Sequence, residues 1–554
     1  MGDQVKLASS TALDAFYQRE QAHPDKLYLV QPLPDGSVQE FTWAQVGDQA
    51  RRIANYLLSL EFPAGSHIGI FSRNCAHWII ADLAIWMAGH ISVPIYPTLT
   101  ADVVRRILEH SGCKAVFIGK LDVWQDVRPG VCPDIPWIGL PQAPEDPTLL
   151  PWDILTGATE PITGRFSPAP DSPATIVYTS GATGVPKGVM LSFASMYYSA
   201  NNCLRLFTIT DEDRLVSYLP LSNIAERQFI EIASLVSGQT VYFVVNSDTF
   251  IADVKRARPT VFFSVPRIWL KLHQSVLKKV PARLLNLALG VPLLNKQIAR
   301  RILAELGLDH IRYAVSGASP ISDSLIAWYH RLGLNLVEIY GMTENCGYSH
   351  LGRPKRFRPG RVGLPNPGVE CRLSEEGEIL LRSPANMLGY YQEPAKTAEA
   401  LDDQGFLHTG DIGEVDHEGF LRITGRRKDI FKTTKGRYVS PAAIEKLLTA
   451  YPQIEQVCVV GNQLPQPIAL VQLANHDEVG EEALAGILSA INGALARHEQ
   501  LACLVVIPDI WEVQNGFLTP TLKVRRAVVE ATYNDQFELW SVSGKPVVWI
   551  RPAS

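Results

Sequence analysis

Apolar residues along the chain fall into two alternating patterns. Residues 67–72, 92–96 and 114–119 are short, nearly unbroken apolar runs, and the segments between them, 77–88 and 101–110, have the length and residue types of helices. Unbroken apolar strands separated by helices predict a parallel sheet buried on both faces. The alternation returns with a helix at 193–206, strands at 214–221, 240–245, 261–265 and 313–316, a helix through Trp328 and a strand at 335–339. Ahead of it, residues 16–60 read as a helix, a short hairpin about Pro34-Asp35-Gly36 and an amphipathic helix through 50–60. Residues 130–171 are rich in Pro and Asp with little periodicity, and read as a surface connection.

The pattern changes after residue 360. Residues 360–391 alternate and carry many turn residues, which predicts a small β-rich subdomain. Beyond a turn at 426–429 come a helix starting at 444–448, strands at 456–460, 470–473 and 505–507, and a helix through 484–497, together a small α+β module. The expected fold class is α/β: a large N-terminal domain, 1–427, of parallel α/β layers plus the β-rich subdomain, and a small α+β C-terminal domain, 428–554. A chain of 554 residues suits at least two domains. The net charge of −5 gives no argument for a nucleic-acid partner, and none is expected. Eight cysteines are scattered without a CxxC pair, which reads as reduced, mostly buried thiols inside a cell. Residues 1–10 lack the apolar core of a signal peptide, and the longest apolar run, 78–89, is too short to span a bilayer and carries Asp82. A cytoplasmic protein is the expectation.

Candidate chemistry begins at Ile176-Val-Tyr-Thr-Ser-Gly-Ala-Thr-Gly-Val-Pro-Lys-Gly-Val189. A short strand opens into Thr179, Ser180, Gly181, Thr183, Gly184 and Lys187. Glycines let the backbone approach an anion closely, and hydroxyls and a lysine add donors and charge, so the stretch reads as a phosphate cradle. It is not a Walker A loop, because Gly188 rather than Ser or Thr follows Lys187 and the glycine spacing differs. Alone, such a cluster also fits a plain turn. Further polar clusters fall at the ends of predicted strands: Gly317-Ala-Ser319, and Tyr340-Gly-Met-Thr-Glu344. Ligand sites in α/β sheets lie at such ends. A nucleotide needs an aromatic face, acceptors for ribose hydroxyls, donors for phosphates and a carboxylate for Mg²⁺, and these clusters, with Asp411 and Arg426, offer each.

In this order the motifs resemble those of the adenylate-forming superfamily, which holds acyl-CoA synthetases, peptide-synthetase adenylation domains and luciferases. The resemblance runs from about residue 16 to about 526. It implies ATP, Mg²⁺ and coenzyme A as cofactors and a role for each matching residue. Thr179, Ser180, Gly181, Thr183, Gly184 and Lys187 would bind phosphates. Gly317, Ala318, Ser319, Tyr340 and Gly341 would frame adenine, and Asp411 and Arg426 would hold the ribose. Thr343 would meet the α-phosphate and Glu344 would hold Mg²⁺. Lys523 matches the family's catalytic lysine and completes a catalytic set with Thr343 and Glu344. Lys428 matches the hinge about which a mobile small domain turns between half-reactions. Lys435 and Gly436 match the loop that lines the pantetheine tunnel. Tyr218 and Asn223 match the acyl-carboxylate region, and their surroundings look most like long-chain fatty acyl-CoA synthetases.

The implied reaction is activation of a fatty acid to acyl-AMP, followed by transfer to coenzyme A. A rival is a fatty acyl-AMP ligase that loads an acyl carrier protein. Another is a non-catalytic adenylate or lipid sensor, against which Glu344, Asp411, Arg426 and Lys523 argue. Two positions depart from the family pattern. Asn223 stands where a histidine is usual and cannot transfer a proton at neutral pH. Ala182 stands where Ser or Thr is usual and removes a hydroxyl. Either change is expected to slow adenylation or to shift substrate preference.

Residues 266–301 hold eight basic side chains and no acidic one, interleaved with apolar positions. Such a segment is either a solvated helix face or a peripheral contact with an anionic membrane surface, from which a lipid substrate would be collected.

Overall fold

The computed structural model describes residues 10–179, 186–291, 294–353, 356–474, 479–519 and 522–550. An eight-stranded sheet forms the first layer. In spatial order its strands are Gly389–Tyr390, Lys187–Ser192, Pro173–Thr179, Ile91–Ile95, His67–Phe71, Ala115–Ile118, Trp137–Gly139 and Leu150–Pro151. From Pro173–Thr179 to Leu150–Pro151 neighbours run parallel. The two strands at the other edge are antiparallel. The strand Ala115–Ile118 and the helix Ala76–Met87 are buried throughout, which is why both read as unbroken apolar runs.

The expectation for 130–171 is overturned. This stretch supplies two edge strands and the helix Trp152–Ala158, anchored by buried Trp137 and Trp152. Strands of two or three residues are too short for a period to show, so single aromatic anchors hold the edge.

A second sheet sets Val261–Ser264, Tyr313–Ser316 and Leu336–Tyr340 in parallel, with His350–Leu351 and Leu364–Pro365 added antiparallel. A third joins Arg214–Ser217, Thr240–Phe243, Leu27–Pro32 and Val38–Thr42. The β-rich subdomain is an antiparallel sheet of Glu370–Leu373, Glu378–Arg382, Leu407–Val415 and Leu421–Arg426, so it reaches well past residue 391. The basic segment forms the helices Pro266–Lys279, Ala282–Gly290 and Leu294–Leu306, which pack on the core through Trp269, Leu285, Leu289 and Leu303.

Residues after 430 build cores of their own about the sheet Ile454–Val460, Ile468–Leu473, Leu504–Val506 and Val547–Trp549. The result is a mixed α/β fold with a large N-terminal and a smaller C-terminal domain. The small domain rests against the helix Pro266–Lys279. Arg267 pairs with Glu455 at 2.5 Å, Gln274 Nε2 donates to the Pro452 carbonyl at 3.1 Å, and Lys446 reaches Asp323 at 3.1 Å.

Candidate active site

Between the two domains lies a cleft of about 2810 Å³. Strand ends open into it: Thr179 closes Pro173–Thr179, Tyr340 closes Leu336–Tyr340, and Ala318 and Ser319 follow Tyr313–Ser316. The Tyr340 hydroxyl donates to Asp411 Oδ2 at 2.7 Å, and Arg426 Nε donates to Asp411 Oδ1 at 2.8 Å. Asp411 and Arg426 are 15 positions apart in sequence, but the Leu407–Val415 and Leu421–Arg426 strands pair them directly. Asp411 is almost fully buried, so Arg426 supplies the countercharge it requires. From the small domain, Lys523 reaches the same cleft. Its surface meets solvent inside the cleft, yet protein surrounds it. That enclosure and the Arg426 charge push its ammonium down to about 8, and Asp411 partly offsets them.

Small residues keep the cleft floor close. A Cβ at Gly341 would lie 2.3 Å from the Gly347 backbone, and one at Gly317 would lie 2.7 Å from Ile339 Cγ2. Ala318 holds φ +69°, a left-handed conformation that costs a non-glycine residue roughly 1–3 kcal/mol and clusters at functional sites. Glu344 Oε1 accepts from the Tyr390 hydroxyl at 2.9 Å, and Lys187 Nζ stands 4.7 Å above the Tyr390 ring, so Tyr390 links a carboxylate to a cation at the cleft wall. Thr343 opens the same short turn as Glu344. Ser180, Gly181, Ala182, Thr183 and Gly184 lie outside the described residues, while Thr179 and Lys187 on either side are paired across the sheet.

Asn223 lines the cleft and caps the helical segment that follows, its Oδ1 accepting from Ala225 N at 2.9 Å. Cap geometry suits Asn, which gives this departure from histidine a local structural use. Tyr218 is placed elsewhere. Its hydroxyl donates to Ser264 Oγ at 2.7 Å, its ring stacks on Phe262, and it does not line the cleft. Lys435 and Gly436 also stand outside the cleft, at the turn of the Phe431–Lys432 and Tyr438–Val439 hairpin. Gly436 holds φ +75° there, so the turn itself calls for glycine. Lys428 lines the cleft, its ammonium lowered by burial and by the Arg426 charge.

Four buried acids and one arginine carry structure that sequence reasoning left unassigned. Arg227, fully buried, donates to Thr175 Oγ1 at 2.7 Å, to Ser92 Oγ at 2.9 Å and to Glu231 Oε2 at 3.1 Å, and pairs with Asp82 between the rings of Trp78 and Trp86. This is the reason for an aspartate inside the longest apolar run. Glu226 accepts from Tyr218 N and Ser217 Oγ, and burial pushes its carboxyl up to about 8. Together they fix the segment after Asn223. Glu338 lies two residues before Tyr340, on the same face of its strand, and lines the cleft with one carboxylate oxygen unpartnered. Burial pushes it up to about 7. The signal was available: a lone acid inside an apolar strand.

Parallel strand ends, a buried acid–arginine–tyrosine cluster and a lysine delivered by a second domain make this the architecture of an adenylate-forming enzyme. The chain belongs to the AMP-binding enzyme family: residues 16–391 match the model of the AMP-binding enzyme, and 428–539 that of its C-terminal domain. It is 30% identical over 580 residues to the long-chain-fatty-acid–CoA ligase FadD15 of Mycobacterium bovis, covering 94% of this chain and 95% of that one. It is 28% identical to long-chain-fatty-acid–CoA ligase 5 of Mus musculus, covering 91% and 84%. Among solved structures the fold is similar to that of the anthranilate CoA ligase AuaEII in complex with anthranoyl-AMP, with a TM-score of 0.79, 20% identity and coverage of 95% and 97%. It is likewise similar to ATP-bound MatB from Rhodopseudomonas palustris, with a TM-score of 0.75, 22% identity and coverage of 95% and 100%.

Proposed function

We propose that this protein joins a long-chain fatty acid to coenzyme A through an acyl-adenylate, using ATP. The observation that carries this reading is the meeting of Lys523 with the Asp411–Arg426–Tyr340 cluster in one cleft. Relatives matched over nearly their full length bear the name long-chain-fatty-acid–CoA ligase, which supports the choice of acid and acceptor.

In this reading Tyr340 offers its ring to adenine and Glu338 accepts from the exocyclic amine. Asp411, held by Arg426, accepts from the ribose hydroxyls. Thr343, Thr179 and Lys187 donate to phosphate oxygens, with Ser180, Gly181, Thr183 and Gly184 completing the cradle. Lys523 sits between the acid's carboxylate and the α-phosphate, where its charge offsets the repulsion of two anions and stabilises charge that builds in the transition state. A carboxylate oxygen then bonds to the α-phosphorus, and the bond to pyrophosphate breaks. In the second half the thiol sulfur bonds to the acyl carbon, AMP leaves, and the thiol proton passes to solvent.

Mg²⁺ commonly takes one or two protein carboxylates together with substrate phosphates. Glu344 at the cleft wall fits that pattern, although no group of three metal-ligating side chains occurs among the described residues. The ion would supply charge neutralisation on the phosphates. The domain boundary falls at 427/428, and Lys428 acts as the hinge that brings Lys435 and Gly436 toward the thiol. Fatty acid, ATP and coenzyme A are the partners, with a peripheral membrane contact through 266–301.

The test is ATP-dependent pyrophosphate release over fatty acids from short to long, with and without coenzyme A, and with Lys523→Ala as control. Release that requires a long-chain acid and yields acyl-CoA supports the ligase. Acyl-AMP that coenzyme A leaves untouched would move the acceptor to a carrier protein. Absence of release from every acid would sink the enzyme reading.

A further inference from the structure

Among the described residues no helix is long and apolar enough to cross a membrane. The basic segment nevertheless divides into two surfaces. The first belongs to the helix Pro266–Lys279, whose Arg267 and Gln274 are engaged by the small domain and whose Leu270, Lys271 and Lys278 line the cleft. The second begins where that helix ends. Val280, Leu284, Leu287 and Val291 are 37%, 59%, 70% and 43% exposed. Leu284 and Leu287, three residues apart, share one side of the Ala282–Gly290 helix, and Val280 and Val291 flank its two ends. Leu285 and Leu289 on the opposite side already hold this helix to the core, so the outward leucines are not needed for packing. Around the stripe Lys278, Lys279, Arg283, Lys296, Arg300 and Arg301 are all exposed.

We infer that this stripe and its basic surround are a docking face for an anionic lipid bilayer. Charge complementarity selects the occupant. A chain of net charge −5 carries no acid between residues 266 and 301, so every charged side chain of the segment that holds the stripe is basic. Leucines that enter the acyl boundary and basic residues that meet headgroup phosphates are the two parts of an interfacial helix. The inference rests on the fatty-acid reading of the cleft and extends it. Lys278 belongs both to the cleft wall and to the surround, so docking brings the mouth of the cleft to the surface in which a water-insoluble acid resides.

The test is flotation of the full chain with vesicles of phosphatidylcholine alone and of phosphatidylcholine with about one-quarter phosphatidylglycerol. The anionic vesicles should bind several-fold more protein, and the difference should shrink in salt. Leu284→Ser with Leu287→Ser should reduce the bound fraction at least tenfold, and Lys279→Glu with Arg283→Glu should abolish the preference for anionic lipid. Pyrophosphate release with a long-chain acid supplied as a soluble albumin complex, without vesicles, should stay unchanged in both double variants, which checks that they fold. Equal binding to both vesicle types, or binding indifferent to the leucine pair, overturns the inference. A concentration-dependent dimer lost in Leu284→Ser with Leu287→Ser overturns it too, because the stripe would then belong to a second copy. If vesicles bind as expected but no acid releases pyrophosphate, the function has failed and the docking face stands.

Discussion

At the scale of residues, the site depends on charges held away from their ordinary ionisation. Lys523 is cationic in its proposed role, and its ammonium is lowered to about 8. The protonated form is therefore lost as pH rises through 8, so kcat/KM for pyrophosphate release should fall above that pH, whereas an unperturbed lysine would hold to nearly 10. Lys523→Ala should lower adenylation by roughly 10²–10³-fold and remove this limb, while thioester formation from supplied acyl-AMP survives. Equal loss of both half-reactions would contradict the role. Glu338 supports a second prediction. An unpartnered carboxylate oxygen beside Tyr340 suits the amine of adenine, which the 6-oxo group of inosine lacks. Glu338→Ala should cut the preference for ATP over ITP by about tenfold, read from kcat/KM for each nucleotide. An unchanged ratio would place the base elsewhere in the cleft.

At the scale of elements, what the sequence displayed follows from burial. Strands hidden on both faces, such as Ala115–Ile118, have no polar positions to confuse the reading, and Tyr313–Ser316 has the predicted bounds. Edge strands of two or three residues left no period, so the sheet's far edge went unread. Motif residues at strand ends were legible because their chemistry is local. Tyr218 was not, since its direction depends on Ser264, 46 positions away. Arg227 and Asp82 show the same limit across 145 positions: each is visible alone, but only the fold pairs them.

The segment Arg227–Ile232 winds as a π-helix, a wide turn frequent at functional sites. It carries Phe229, which stacks on Phe263 with centroids 5.1 Å apart. Both rings face the cleft on one side and, on the other, an apolar cavity of about 30 Å³ lined by Ala200, Cys203 and Leu204. That volume admits one water, so an acyl chain that enters there must displace the stack. Phe229→Ala should shift the kcat/KM ratio toward longer acids by about tenfold on the acid panel. An unchanged ranking would mean that the chain takes another route.

At the scale of the molecule, the two domains are held by contacts suited to release. The Arg267–Glu455 and Lys446–Asp323 pairs are partly exposed, and such pairs are worth only about 0–1 kcal/mol each. The C-terminal domain has its own cores, so it can turn as a body without losing them. In the arrangement described here Lys523 faces Asp411 while Lys435 and Gly436 stand outside the cleft, which suits the first half-reaction and leaves the second to a rotation. Arg427–Asp429 is a single short turn, and rotation there changes few dihedrals. Lys428→Pro fixes one of them and removes an N–H. Adenylation, measured as single-turnover pyrophosphate release, should change less than about threefold, and thioester formation from supplied acyl-AMP should fall more than about tenfold. Arg267→Ala weakens the closed arrangement instead, so it should slow adenylation slightly and leave the thioester half unimpaired. The two variants thus push the same equilibrium from opposite ends. If both depress the two half-reactions in proportion, the domains work as one rigid body and the hinge at Lys428 is wrong.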